Sequence, residues 1–256
     1  MLLRRVTQHI KDQNWFAVWL DFVIVVIGVF IGLQTSNWND AREQNRQAAV
    51  YTDRLSNDLQ IEFEYATSLI EYYRVTHQAG LIAYDGLSAE MALDDETVLI
   101  NAFRASQYNW YERRRAAFDE IVASGSLALI DDVALRETAI GIYNTPVFSL
   151  LESEGASSRY RERFRMAIDP RLHENLLRNC GDVEYDNGGE AVALVEIGYA
   201  CKLDVSKDDI AEAIAALRRD IELFPALRLR NAQVSGQIID MEIFLRTHGL
   251  VARFGS

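Results

Sequence analysis

The residues able to do chemistry in this chain are few, and their spacing matches no familiar catalytic pattern. There is no HExxH zinc motif, Walker loop, GxGxxG, GxSxG or SxxK. His173-Glu174 opens like a zinc-protease motif, but no second His stands four positions on. The adjacent carboxylates Asp94/Asp95 and Asp208/Asp209 could in principle divide general-acid and general-base roles. Each pair instead precedes an apolar run of helical period, where negative charge offsets the helix dipole. Asp182, Glu184, Asp186 and Asn187 approach a calcium loop, yet the glycine is one place late and position twelve is Ala193 rather than Glu. Cys180 and Cys201 lack the second pair or nearby His that a zinc site needs. Two such thiols are either buried and inert or, outside a reducing compartment, joined as a disulfide. The expectation is a protein with no catalytic residue, no cofactor and no metal, and so no enzyme.

The charge balance narrows the partners. The chain carries a net −12. Arg4, Arg5 and Lys11 against Asp12 and Asp21 leave +1 in the first 36 residues, so the rest holds −13. An acidic body is repelled by phosphate backbones, which argues against nucleic acid. Arg113–Arg115 and the alternating Arg159, Arg161, Arg163 and Arg165 are local exceptions, read as solvated helix faces paired with nearby acids. Apolar residues at 49% and charged residues at 25% are the proportions of a chain with a real core.

The longest apolar run is Trp15–Leu33, interrupted only by the charge of Asp21. As a helix rising ~1.5 Å per residue it reaches about 28 Å, close to the hydrocarbon thickness of a bilayer. Trp15 and Trp19 at one end and Trp38 at the other frame it as interfacial anchors. The segment Gln34–Trp38 is a poor cleavage site, so an uncleaved anchor is expected rather than a signal peptide. Asp21, Val25, Gly28 and Gly32 fall at steps of four, three and four and share a face. Gly28 and Gly32 would let a second helix approach closely, either another membrane protein or another copy. Asp21 would join that face or sit among the headgroups. Leu2, Leu3, Val6 and Ile10 recur at helical spacing beside Arg4, Arg5 and Lys11, as in a helix lying along the membrane surface. Basic residues on the two sides of the span nearly balance. The cysteine pair and the acidic body favour a cytoplasmic N-terminus and a periplasmic body in a bacterial inner membrane.

The expected organisation is a surface segment over 1–14, a transmembrane helix over 15–36 and a helical extramembrane domain over 37–256. From Asn37 to Gly80 there is neither proline nor glycine, and Leu55, Leu59, Phe63, Ala66, Ile70, Tyr73 and His77 keep steps of three or four. That predicts one long amphipathic helix, continuous with the span. Further helices are expected from Asp94–Glu96, over Glu112–Ser124 with Gly125 as its stop, from Asp131 or Asp132 to Pro146, on to about Ile168, and over Asp169–Leu177. Ser206-Lys207-Asp208-Asp209 is a capping box opening a helix through Ile221, and Pro225 begins the last, with Leu229 and Phe244 inward. Between them, Asp186–Gly189 signals a turn and Val192–Leu203 favours strand, giving a small β-hairpin insertion near 180–203 with the cysteines at its ends. The fold class is therefore mainly α, one N-terminal span running into a long-helix bundle.

Two stretches carry a resemblance. The run Asp21–Gln34 followed by Asn37-Trp38-Asn39, and the run Phe118–Ile130 followed by Leu135-Arg136, are similar to a family of uncharacterised bacterial single-pass membrane proteins. The resemblance covers about 40 residues, implies a membrane anchor and a helical body, and brings no catalytic residues with it. The function expected is partner binding, as an accessory or scaffolding subunit of an inner-membrane assembly. The alternatives are a small-ligand sensor with Tyr72, Tyr73, Trp110 and Tyr111 lining a pocket, and an enzyme with an unfamiliar active site.

Overall fold

A single helix, α1 (Trp15–Leu87), makes the spine of the molecule. At ~1.5 Å per residue its 73 residues reach about 110 Å. The computed structural model describes residues 15–186 and 193–255. The surface segment expected over 1–14, the Trp15 side chain and the turn residues Asn187–Gly189 lie outside the described residues. No break marks residue 36, where the apolar stretch gives way to polar sequence; the helix runs straight through.

The remaining elements are α2 (Asp95–Ala105), α3 (Ala116–Ala123), a 3-10 turn (Ser126–Leu129), α4 (Val133–Tyr143), α5 (Val147–Ala156), α6 (Arg159–Ala167), α7 (Pro170–Cys180), β1 (Val183–Asp186), β2 (Ala193–Glu196), α8 (Lys207–Arg219), α9 (Leu223–Thr247) and α10 (Leu250–Phe254). Their starts follow local chemistry. The side chains of Asp94, Asp132, Ser158, Asp169 and Ser206 each accept from a backbone N–H of the first turn that has no helical partner. The strands pair antiparallel, Val183 against Glu196 and Asp186 against Ala193.

Two apolar clusters fill the body. One gathers Leu55, Leu59, Ala66 and Tyr73 of α1 with α3, α4, α10 and the C-terminal half of α9. The other gathers Ala83 and Leu87 with α2, α6, α7, α8 and the start of α9. Helices α1 and α9 serve both clusters. They approach closely at Gly80, where an added Cβ would run into the Asn231 amide. Before the body begins, residues 16–47 of α1 are exposed almost throughout.

Several expectations need correction. The helix placed over Glu112–Ser124 starts only at Ala116, because Glu112–Arg115 belong to an irregular loop held by buried groups. Helix after Pro146 does not run unbroken to Ile168; it stops at Ala156, and the Ser158 hydroxyl restarts it. Ile221 lies beyond the end of α8 and is 84% exposed. Leu229 is not in the core; it is 50% exposed on the outer face of α9. Arg113 and Arg161 are not solvated helix charges; Arg113 pairs with the buried Glu62, and Arg161 donates to the Ser106 carbonyl.

Candidate functional site: an anchored loop and its cleft

The site is built on Glu62, a carboxylate 1% exposed in the middle of α1. It accepts from Arg113 Nε at 2.9 Å and Nη2 at 2.8 Å, from the backbone N–H of Arg114 at 2.8 Å and from the Tyr111 hydroxyl at 3.3 Å. Arg113 Nη1 also donates to the Ile142 carbonyl at 2.7 Å. Its guanidinium lies 4.7 Å from the ring centre of Phe148 and 5.3 Å from that of Tyr143. A buried charge pair is tolerable only when its remaining donors and acceptors are satisfied, and here a carbonyl and two aromatic faces complete the surroundings.

The same loop, Ser106–Arg115, is fastened at many further points. Tyr143 donates to the Arg114 carbonyl at 2.7 Å, and Tyr73 donates to that of Asn109 at 2.9 Å. Tyr111 stacks on Tyr65 with ring centres 4.4 Å apart. At its start, Arg161 donates to the Ser106 carbonyl at 2.9 Å, and the fully buried Arg230 donates to the Gln107 carbonyl at 2.8 Å. Two cations thus serve carbonyls just beyond the C-terminus of α2, the end of a helix that favours positive charge. Burial lowers the pKa of both guanidinium groups, and the Tyr73 ring opposes it at Arg230. Burial pushes the Tyr73 phenol up to about 12 and raises Tyr111 well above its ordinary value, Glu62 adding to the latter. Both phenols are therefore fixed hydrogen-bond donors. A segment without regular structure, held this rigidly, is the kind of loop a scaffold uses to present side chains.

Between this loop and α5 lies a cleft of about 210 Å³. Leu69, Tyr111 and Phe148 form its apolar lining, and Trp110, 47% exposed, stands at its edge. Glu112, Ser149 and Glu152 supply the polar rim. Arg113 also borders the cleft, with its charge already matched by Glu62. A wider depression of about 370 Å³ lies where α7 and α8 begin, lined by Asp169, Arg171, Asp209, Glu212 and small apolar groups. Asp169 there is engaged in capping α7.

The residues singled out from sequence are not brought together into one site. Asp21, Val25, Gly28 and Gly32 all lie on the exposed apolar part of α1, and nothing stands within 4 Å of where a Cβ on either glycine would be. Trp19 and Trp38 are exposed; Trp19 packs on Phe16, and Arg42 lies over Trp38. Cys180 and Cys201 are joined, with Cα atoms 5.4 Å apart. Tyr199, beside them, donates to the Gly181 carbonyl at 2.7 Å, while Arg104 donates to the Tyr199 carbonyl. Of the four aromatics considered for a pocket, Trp110 and Tyr111 line the cleft; Tyr72 and Tyr73 are core. Among the described residues no group of three or more His, Cys, Asp or Glu could hold a metal ion. Glu62 and Arg230 had a sequence signal that the reading missed. Glu62 sits at helical spacing within Leu55, Leu59, Ala66 and Leu69, and Arg230 within Leu223, Leu227, Val234 and Met241. A charge on an otherwise apolar stripe marks a buried, partnered group.

Residues 21–157, just over half of the chain, match the model of a family of unknown function, DUF6090. That range includes the apolar part of α1 from Asp21 on, Glu62, the anchored loop and every residue lining the smaller cleft. No curated protein and no solved structure matches the chain.

Proposed function

This chain belongs to the DUF6090 family of unknown function, and we propose that it is a non-enzymatic, membrane-anchored partner-binding protein, an accessory or scaffolding subunit of a bacterial inner-membrane assembly. One observation carries the reading. Among the described residues, no part of the body covers the apolar run at the start of α1, which yet belongs to the same helix that forms the spine of the core. A patch of that size is a liability in water and at home in lipid. A helix that continues unbroken from bilayer to core holds the body at a fixed distance and orientation from the membrane. Residues 34–47, exposed on every side, serve as the stalk.

In this reading Trp15, Trp19 and Trp38 sit at the interfaces. The face of Asp21, Val25, Gly28 and Gly32 meets a helix of another membrane protein or of a second copy. The N-terminus is cytoplasmic and the body periplasmic, the oxidising side on which a disulfide such as Cys180–Cys201 persists. The test is purification of the full chain from membranes in mild detergent. It should resist alkaline carbonate extraction and carry a stable partner or run as an oligomer. Release by carbonate would remove the anchor, and a monomer without companions would overturn the partner-binding role.

A further inference from the structure

We propose that the cleft between the Ser106–Arg115 loop and α5 is a binding site for an alkylammonium group, either that of a free amine or that of a lysine side chain on another protein. The inference goes beyond the anchoring role and stands without it.

Three features select this chemistry. The first is the lining: Tyr111 and Phe148 border the cleft beside Leu69, each with one ring face engaged, by Tyr65 and by the Arg113 guanidinium, and half-exposed Trp110 stands at the opening. Electron-rich ring faces attract cations, indole most strongly, so Trp110 is the ring best placed to receive an ammonium. The second is charge. Glu112 and Glu152 face the cleft, and neither has a hydrogen-bond or ion-pair partner among the described residues. Arg113, the cation that borders the cleft, is held by Glu62 at 2.8 Å and covered by Phe148 and Tyr143. The opening therefore presents two unmatched negative charges, which disfavours anions and favours a cation. The third is size and stiffness. At about 210 Å³ the cleft is smaller than the roughly 300–1,000 Å³ of ordinary small-molecule pockets, which suits a small ammonium head or a single lysine chain. The loop is already fixed by Glu62, Tyr73, Tyr143, Arg161 and Arg230, so binding need not order it.

The neutral isostere decides whether charge matters. Calorimetric titration of the full chain in mild detergent should show saturable binding of choline or butylammonium, weakened by added salt. It should show much weaker binding of 3,3-dimethylbutan-1-ol, which has the shape of choline without its charge. Trp110→Ala and Glu152→Gln should each weaken amine binding by about tenfold, and Glu137→Gln, outside the cleft, should leave it unchanged. Both Trp110 and Glu152 lie outside the buried core, and an unshifted melting temperature would show that each variant is folded. A peptide with one lysine, set against its norleucine counterpart, separates the two sources. Preference for the lysine peptide points to a protein partner, and preference for the free amines to a small molecule. Equal binding of choline and the neutral alcohol, no saturable binding of any amine or lysine peptide, or full affinity in both folded variants would overturn the assignment.

Discussion

Glu62 shows what one buried residue can fix. Its carboxylate collects an arginine, a tyrosine and a backbone amide from a loop some fifty positions away, and so locates that loop on α1. Removing one partner strands the other in the core. Glu62→Gln is expected to cost roughly 3–5 kcal/mol of stability, read from the midpoint of urea unfolding. Glu62→Leu combined with Arg113→Met should recover much of that loss, because neither charge then remains unpaired. Asp94 acts through its ionisation. The Thr97 hydroxyl and backbone amide hold its carboxyl below the usual 3.8. The folded chain therefore binds this proton more weakly than the unfolded chain does. Its contribution is present above the ordinary carboxylate value and fades as pH falls through the lowered folded one. Asn caps a helix as well as Asp but does not titrate. Asp94→Asn should match the parent near neutral pH and lose less stability than the parent between pH 5 and pH 3, in unfolding curves at each pH. Asp58 and Asp182, raised by burial, contribute with the opposite sign and so blunt the acid limb without reversing the Asp94 effect.

At the scale of elements, the short hairpin is held from both sides. The Cys180–Cys201 bond ties its base to the end of α7, and Ile197 just past β2 is buried in the cluster around α1. The bridge closes a loop with a sequence separation of 21. Replacing both cysteines by serine should therefore cost about 2–4 kcal/mol. A lower melting temperature in the double variant, matched by the parent in excess reductant, is the expected measurement. Helix α9 shows a different balance. Its inner face carries Leu227, Val234, Met241 and Phe244 in the core, while Leu229, Ile239 and Ile243 remain exposed on the outer side. Apolar residues on both faces explain why its inward side was hard to choose from periodicity alone.

For the whole molecule, the decisive feature is that α1 belongs to two environments. Its first part meets no part of the body among the described residues, and from Leu55 on it lays one face in the core. The halves should be separable in one direction. A chain beginning at residue 37 should be soluble, with a melting temperature within a few degrees of the full chain, because the body's buried groups on α1 begin at Leu55. The full chain should remain with the membrane fraction. A truncated chain that aggregates or fails to melt cooperatively would mean that the apolar segment is needed to complete the body. The two clusters share α1 and α9, so the truncated body is expected to unfold in one transition rather than two.

What the sequence determined by itself was what depends on neighbours along the chain. The apolar run and the unbroken period from Leu55 to His77 set out α1, while Asp94–Glu96, the Asp131-Asp132 pair and Ser206 announced helix starts, with the choice of Asp132 as cap left to the structure. The turn signal and β-formers after Cys180 placed the hairpin. Periodicity and capping act within a few residues, so a sequence displays them directly. Only the tertiary structure decided the rest. The partners of Glu62 and Arg230 lie some fifty and more than a hundred positions away. A charge on an apolar stripe shows that a partner is required, not which residue supplies it. The cleft exists only because α5 closes over a loop that α1 has already fixed, and the contacts that do so are set by three-dimensional proximity rather than by spacing along the chain.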